Sequence, residues 1–291
     1  PCLDEEKTIA AVIAEFQITL PDAEVYVYDN MSTDSTPEMA HKAGAILKYE
    51  RMSGKGHVVR RMFSDIEADI YLLIDGDGTY APSEAPLLIK RLLEDDLDMV
   101  VGTRVTQAGR LGHGVGNRMF NRLYRWLFGS GFTDIFSGYR VLSHRFVKSF
   151  PALSKGFEIE TEICVHASQL RLPVSEIEIS YSERPQGSES KLRTFRDGWN
   201  ILVSMSALLK ENRPMALFGF LSSLSLSAAI AFGIPIVIDY QKTGLVERLP
   251  TAILSTGLVV IGVLFIALGV ILDLIARGRL ETKRIAYLQS R

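Results

Sequence analysis

Asp75-Gly76-Asp77-Gly78 follows directly on the apolar run Ile70-Tyr71-Leu72-Leu73-Ile74. A short apolar run bounded by turn residues predicts a buried strand. Carboxylates just past the end of such a strand sit where open α/β sheets bind ligands. Two of them, one residue apart, can hold Mg²⁺ or Mn²⁺, because Mg²⁺ keeps waters and takes oxygens from substrate phosphates. Such a cation offsets the negative charge that develops on a departing diphosphate. Thr79 adds a hydroxyl that could reach the metal or one of its waters. The competing reading is a plain Asp-Gly turn.

Other groups could complete such a site. Asp29-Asn30-Met31-Ser32-Thr33-Asp34 also follows a β-rich run. Its side chains could bond a base or ribose, or cap the next helix as an Asx turn. Gly54-Lys55-Gly56 opens a helix, where backbone N–H groups and a Lys favour phosphate, although full P-loop spacing is missing. Arg118, Arg122, Arg125, Arg140, Arg184 and Lys191 supply positive charge later in the chain. They read either as a clamp on an acceptor phosphate or as a basic face towards lipid headgroups. Asp134 lies in an otherwise apolar stretch and could orient an acceptor or cap a turn. The five His show no metal-ligand spacing, and no Ser/His/Asp hydrolase pattern stands out.

Alternating elements must position these residues. Helices are predicted over residues 4–18, 35–43, 54–67, 83–94, 118–128 and 158–170, the first capped by Asp4. Strands are predicted over 24–28, 45–49, 70–74, 98–101 and 174–181. This order implies an α/β sheet with helices on both faces. Residues 106–117 are Gly-rich and predict a loop that closes over the site.

Residues 215–238 and 252–272 are uncharged and each long enough to cross a bilayer. Arg193, Arg196, Lys210 and Arg213 precede them, and Arg277, Arg279, Lys283, Arg284 and Arg291 follow. The connecting loop carries Lys242 and Arg248. The positive-inside rule then places the N-terminal domain in the cytoplasm. Residues 195–209, with Trp199, read as an amphipathic helix in the membrane interface. The expected organisation is a catalytic domain over 1–193, an interfacial helix over 194–214, a transmembrane hairpin over 215–275 and a basic tail over 276–291. A net charge of −2 argues against a nucleic-acid partner. Cys2 and Cys164 suggest neither a disulfide framework nor a zinc site. The opening at Pro1, with no Met and no preceding strand, reads as a trimmed N-terminus.

In order and spacing these motifs resemble the polyprenyl-phosphate glycosyltransferases of glycosyltransferase family 2. Pro1-Cys2-Leu3-Asp4-Glu5 is similar to that family's opening Pro-x-x-Asn-Glu, with Asp4 for Asn. Residues 29–36 resemble its nucleotide-binding Asp-Asp-x-Ser-x-Asp-x-Thr, and Gly54-Lys55-Gly56 and Asp75-Gly76-Asp77 match its Gly-Lys-Gly and Asp-x-Asp. Residues 134–140 resemble its Asp-x-x-Ser-Gly-aromatic-Arg. Residues 184–191 resemble its Arg-x-x-Gly-x-Ser-Lys, with one residue extra. Thr79 stands where many members carry Gln.

The resemblance implies a GT-A, Rossmann-like fold and inverting sugar transfer from a nucleotide sugar to a polyprenyl phosphate. UDP-glucose or UDP-N-acetylglucosamine is favoured over GDP-mannose. Pro1, Glu5, Asp29, Asp34, Lys55, Asp75, Gly76 and Arg104 are implied at the donor. Asp75, Asp77 and Thr79 are implied at the metal. Arg118, Ser137, Arg140, Arg184 and Lys191 are implied at the acceptor phosphate. Asp134 and Asp77 are implied as the catalytic pair. A lipid bilayer and further copies of the chain, up to a tetramer, are the implied partners. The alternatives are a transferase acting on another membrane lipid and an idle membrane scaffold of the same fold.

Overall fold

The computed structural model describes residues 1–104, 121–122, 124–126, 129, 132–182, 210 and 213–290. The chain forms two compact units, Pro1–Ile201 with Lys283–Arg291, and Leu202–Thr282.

In the first unit the strands are β1 Tyr26–Asp29, β2 Ile46–Tyr49, β3 Ile70–Leu73, β4 Met99–Arg104, β5 Arg140–Ser143 and β6 Val174–Ile179. Its helices are α1 Ile9–Thr19, α2 Thr36–Lys42, α3 Lys55–Asp65, α4 Ala85–Glu94, α5 His144–Ser149 and α6 Ile159–Leu170. β1 and β2 pair in parallel. On the other edge of β1, Cys2 donates its N–H to Tyr28 and accepts from Asn30, which draws the N-terminus alongside the strand. The larger sheet has the order β3-β5-β4-β6. β5 runs antiparallel to both neighbours, while β4 and β6 are parallel. Leu73 and Val101 both pair with Arg140. The C-terminal ends of β3 and β4 therefore meet the start of β5 along one edge.

Two features differ from the sequence reading. α1 begins at Ile9 rather than Asp4. Asp4 takes a left-handed backbone (φ 50°), and its Oδ1 accepts the Thr33 N–H at 2.7 Å, tying the N-terminus to the loop after β1. β5 and α5 were not expected, because Arg140-Val141-Leu142-Ser143 is too short to show period-two alternation.

α1 serves two cores. Val12 and Phe16 pack with Leu88 and Leu92 of α4 and with Val100, Val141 and Ile179 of the large sheet. Ile9 and Ile13 pack with Cys2, Val27, Ala40 and Ala45. Met99, Val101 and Leu142 alternate to the opposite sheet face and are buried too. Both faces are thus covered, as an α/β sheet requires.

The second unit is built on α7 Pro214–Thr243, together with α8 Leu249–Gln289 as far as Thr282. Stretches of 18 residues within the two helices reach mean hydropathies of 2.0 and 3.0, and both helices are long and apolar enough to cross a membrane. At about 1.5 Å per residue, each exceeds a hydrocarbon core of about 30 Å. Ser225 donates to the Leu258 carbonyl and Ser255 to the Ala229 carbonyl, both at 2.8 Å. Hydroxyl-to-carbonyl bonds of this kind join helices where apolar surroundings supply no water. Outward residues such as Phe220, Ile230, Val259 and Leu264 are exposed. The last turns of α8 belong to the first unit. There Lys283 bonds Gln169 at 3.0 Å, and the Tyr287 hydroxyl donates to Asp98 at 2.7 Å.

Candidate active site

The turn after β3 carries the central carboxylates. Asp77 is 4% exposed, and its Oδ1 accepts both the Thr79 N–H at 3.1 Å and the Thr79 hydroxyl at 2.6 Å. Thr79, expected at the metal, thus braces Asp77. Thr8 donates its hydroxyl to the Gly76 carbonyl at 2.8 Å and fixes the turn from below. A Cβ at Gly76 would run into the Cys2 thiol, so this position has no room for a side chain. Burial pushes that thiol up to about 11, and it stays protonated at neutral pH.

Asp75 is more open, with 28% of its side chain exposed, and Lys55 lies 2.6 Å from its Oδ1. Lys55 also contacts Glu160 of α6 at 2.5 Å. Burial would push the Lys55 ammonium down, but the two carboxylates outweigh it and raise its pKa. Glu160 is pushed up, first by burial and then against the pull of Lys55 by the charge of Asp75.

The surroundings of Lys55 differ from a phosphate loop. Gly56 donates its N–H to the Lys155 carbonyl at 3.1 Å, and His57 and Val58 donate theirs to Gly54. Side chains at Gly54 or Gly56 would overlap the backbone of Ser154 and Lys155. The glycines therefore let two backbones touch, and the first N–H groups of α3 are occupied.

Residues 132–139, which lead into β5, come against the acidic turn at Gly138. Arg104 grips Asp134 through two bonds of 2.7 Å, Nε to Oδ2 and Nη2 to Oδ1. Burial would raise the Asp134 carboxyl, but these bonds and the guanidinium charge hold it below the usual carboxylate range. The Arg104 guanidinium also lies 5.5 Å above the Tyr181 ring. Gly138 brings this segment against the acidic turn. It donates its N–H to the Tyr80 hydroxyl at 2.9 Å, and a Cβ there would overlap the Asp75 carboxylate.

Two residues expected at an acceptor phosphate sit elsewhere. Arg140 is fully buried and donates to the carbonyls of Ser137 and Ile135, both at 2.9 Å. Ser137 is also fully buried and donates to the Gly102 carbonyl. Both brace the turn that presents Asp134. Arg118, Arg184 and Lys191, together with the loop at 106–117 and the helix at 195–209, lie outside the described residues.

A third group of side chains surrounds the end of β1. Asp29 is 3% exposed and accepts the Ser32 N–H through Oδ2, while its buried Oδ1 has no hydrogen-bond partner among the described residues. Glu5 is buried beside Thr36, whose hydroxyl accepts the Glu5 N–H at 2.7 Å. Pro1 is half-buried next to Cys2. Asp34 accepts from Thr36 and Glu6; burial would raise its carboxyl, but these bonds lower it. Asn30 is a structural residue here. Its amide donates to the carbonyls of Glu50 and Met52 and its oxygen accepts from Gly54.

Comparison with known proteins identifies the family and the fold. The glycosyl transferase family 2 pattern matches residues 1–155. The chain belongs to glycosyl transferase family 2. It is a nucleotide-sugar glycosyltransferase with a GT-A-like α/β fold. Glycosyltransferase AglJ of Haloferax volcanii is 33% identical over 99% of this chain and 96% of its own length. The dolichyl-phosphate hexose transferase of the same organism is 29% identical over 72% of this chain and 92% of its own. Glucosyl-3-phosphoglycerate synthase of Mycobacterium tuberculosis, solved with Mn²⁺, UDP-glucose and phosphoglyceric acid, shares the fold. It superimposes with a TM-score of 0.61 at 21% identity, covering 72% of this chain and 77% of that one.

Asp75 and Asp77 fit a divalent cation in this family 2 transferase. No group of three or more His, Cys, Asp or Glu forms a complete cage among the described residues. Two braced carboxylates are what a cation finished by substrate phosphates requires. Tyr80, Tyr181 and Glu160 joined the site without having been expected. Glu160 had one signal, an acidic Glu158-x-Glu160-x-Glu162 run on a helix otherwise rich in apolar residues.

Proposed function

We propose that this transferase moves a hexose, with inversion, from a UDP-sugar to a polyprenyl phosphate at the cytoplasmic face of a membrane. The observation that carries the reading is the packing of Gly138, in the segment that carries Asp134, against the Asp75 carboxylate, in a chain that also holds two bilayer-length helices. Kinship with a dolichyl-phosphate hexose transferase supports the lipid acceptor. The fold shared with a UDP-glucose enzyme is compatible with the donor.

Asp29 Oδ1 is a buried acceptor suited to a ribose hydroxyl or a base N–H, with Glu5 beside it. Asp75 and Asp77 would hold Mg²⁺ or Mn²⁺, which when bound offsets charge on the leaving diphosphate. The acceptor phosphate attacks the anomeric carbon from the opposite side. A phosphomonoester has its second pKa near ~6, so it is mostly dianionic at neutral pH and needs little base help. Asp134, kept ionised by Arg104, orients the acceptor rather than removing a proton. Arg118, Arg184 and Lys191 supply the charge that holds the phosphate. The basic residues flanking the hairpin favour a cytoplasmic catalytic unit, and the apolar helices offer a surface for assembly into a homo-oligomer, up to a tetramer.

The test is donor and acceptor competition. Detergent-purified protein is offered a panel of labelled UDP- and GDP-sugars with undecaprenyl phosphate, diacylglycerol and ceramide together. Label confined to the polyprenyl lipid is expected. Label on another lipid overturns the acceptor, and preference for a GDP-sugar overturns the donor.

A further inference from the structure

Lys55, Asp75 and Glu160 form a chain of three charges. The Lys55 and Glu160 side chains are 8% and 9% exposed, and the ammonium lies 2.6 Å from one carboxylate and 2.5 Å from the other. The three residues come from the start of α3, the turn after β3 and the first turn of α6. One ammonium thus serves two carboxylates, and with both ionised these three groups sum to −1, while the Arg140 guanidinium also acts on Glu160. With Lys55 alone, Asp75 would be cancelled as a cation ligand. Sharing the ammonium with Glu160 leaves the cluster attractive to a cation.

A simple staple between α3 and α6 does not account for the arrangement. Other bonds already join these parts through the loop before α6: Gly56 donates its N–H to the Lys155 carbonyl, and the Glu162 carboxylate accepts the N–H groups of Leu153 and Ser154 at 3.0 and 2.8 Å. A buried ion pair adds little stability over apolar packing, because desolvation offsets the attraction. The costly group is Glu160, and its place is two contacts away from Asp77's turn.

We propose that Glu160 is a positioning residue for the donor-side cation: through Lys55 it fixes the Asp75 carboxylate and keeps the cluster net negative. This rests on the metal-assisted reading of the site. Glu160 does not touch the donor itself.

The test follows free Mn²⁺ by electron paramagnetic resonance, using full-length protein in detergent with UDP present. Glu160→Gln brings the cluster to zero charge and is expected to weaken Mn²⁺ binding roughly tenfold or more, the usual effect of losing an outer-shell partner. Lys55→Met combined with Glu160→Gln returns the cluster to −1 and is expected to recover part of that loss. A purely structural Glu160 would lower the melting temperature of Glu160→Gln and leave Mn²⁺ binding by the folded protein unchanged. Glu160→Asp keeps the charge on a shorter arm and is expected to fall between, which serves if the Gln variant does not fold. Unchanged Mn²⁺ binding in folded Glu160→Gln, or a double variant weaker than the single, overturns the inference alone. Failure of the wild type to bind Mn²⁺ overturns the metal-assisted reading and the inference together.

Discussion

Arg104 and Asp134 meet fork to carboxylate, through two bonds of 2.7 Å, at the end of β4. The pair makes Asp134 a fixed, ionised group in the segment that packs against the acidic turn at Gly138. Arg104→Lys keeps the charge but loses the fork. We expect it to lower kcat/KM by about 10²-fold, the usual size of an ångström-scale misplacement. Steady-state transfer assays check this.

The same pair sets a pH dependence. The folded pKa of Asp134 is depressed. Its contribution to stability is therefore complete above the unfolded value, about 3.9, and is lost as pH falls through the lower folded value. Melting curves of wild type and Asp134→Asn should differ fully near neutral pH and begin to converge only as pH falls below about 4, meeting once it is under the depressed folded value.

Gly138 tests the contact between the two halves of the site. Gly138→Ala places a methyl group against the Asp75 carboxylate. The backbone there is ordinary, so the protein should fold, while transfer falls by about 10²-fold. Circular dichroism and a transfer assay separate the two effects.

Thr79 is expected to act through its hydroxyl. Thr79→Val removes the 2.6 Å bond to Asp77, and Thr79→Ser keeps it. A hydrogen bond to a charged group contributes about 2 kcal/mol. The Val variant should need more Mn²⁺ for half-maximal rate, and the Ser variant should resemble wild type.

Away from the site, Tyr287 anchors the end of α8 on Asp98, which is fully buried and also bonded by Ser143 at 2.6 Å. Tyr287→Phe should cost about 2 kcal/mol, as for other bonds to a charged group. Hydrogen exchange should rise in the last turns of α8, with transfer activity retained.

Much of this was legible in the residues. The apolar run at 70–74 ends where Asp75 and Asp77 must emerge, so strand and carboxylates were read together. The two apolar helices follow from length and hydropathy alone. Arg140 was misplaced because a basic side chain in a motif does not reveal which way it turns; burial among carbonyls is a tertiary fact. Lys55 was read as a residue near the donor phosphates, and its flanking glycines suggested a helix start open to phosphate. They instead admit the backbone at Ser154 and Lys155, about a hundred residues on, and no local pattern encodes that approach. The acidic run at 158–162 marked Glu160 as unusual, but not its partner Lys55, which is 105 residues away.

The central claim is that the acidic turn after β3 drives sugar transfer to a polyprenyl phosphate. The direct measurement gives detergent-purified wild type and Asp77→Ala labelled UDP-sugars and undecaprenyl phosphate, with Mn²⁺ or with chelator. A labelled polyprenyl lipid formed by wild type, absent with chelator and lost in Asp77→Ala, is the predicted result. Equal lipid product from the folded variant, or none from wild type with any donor, would contradict the account.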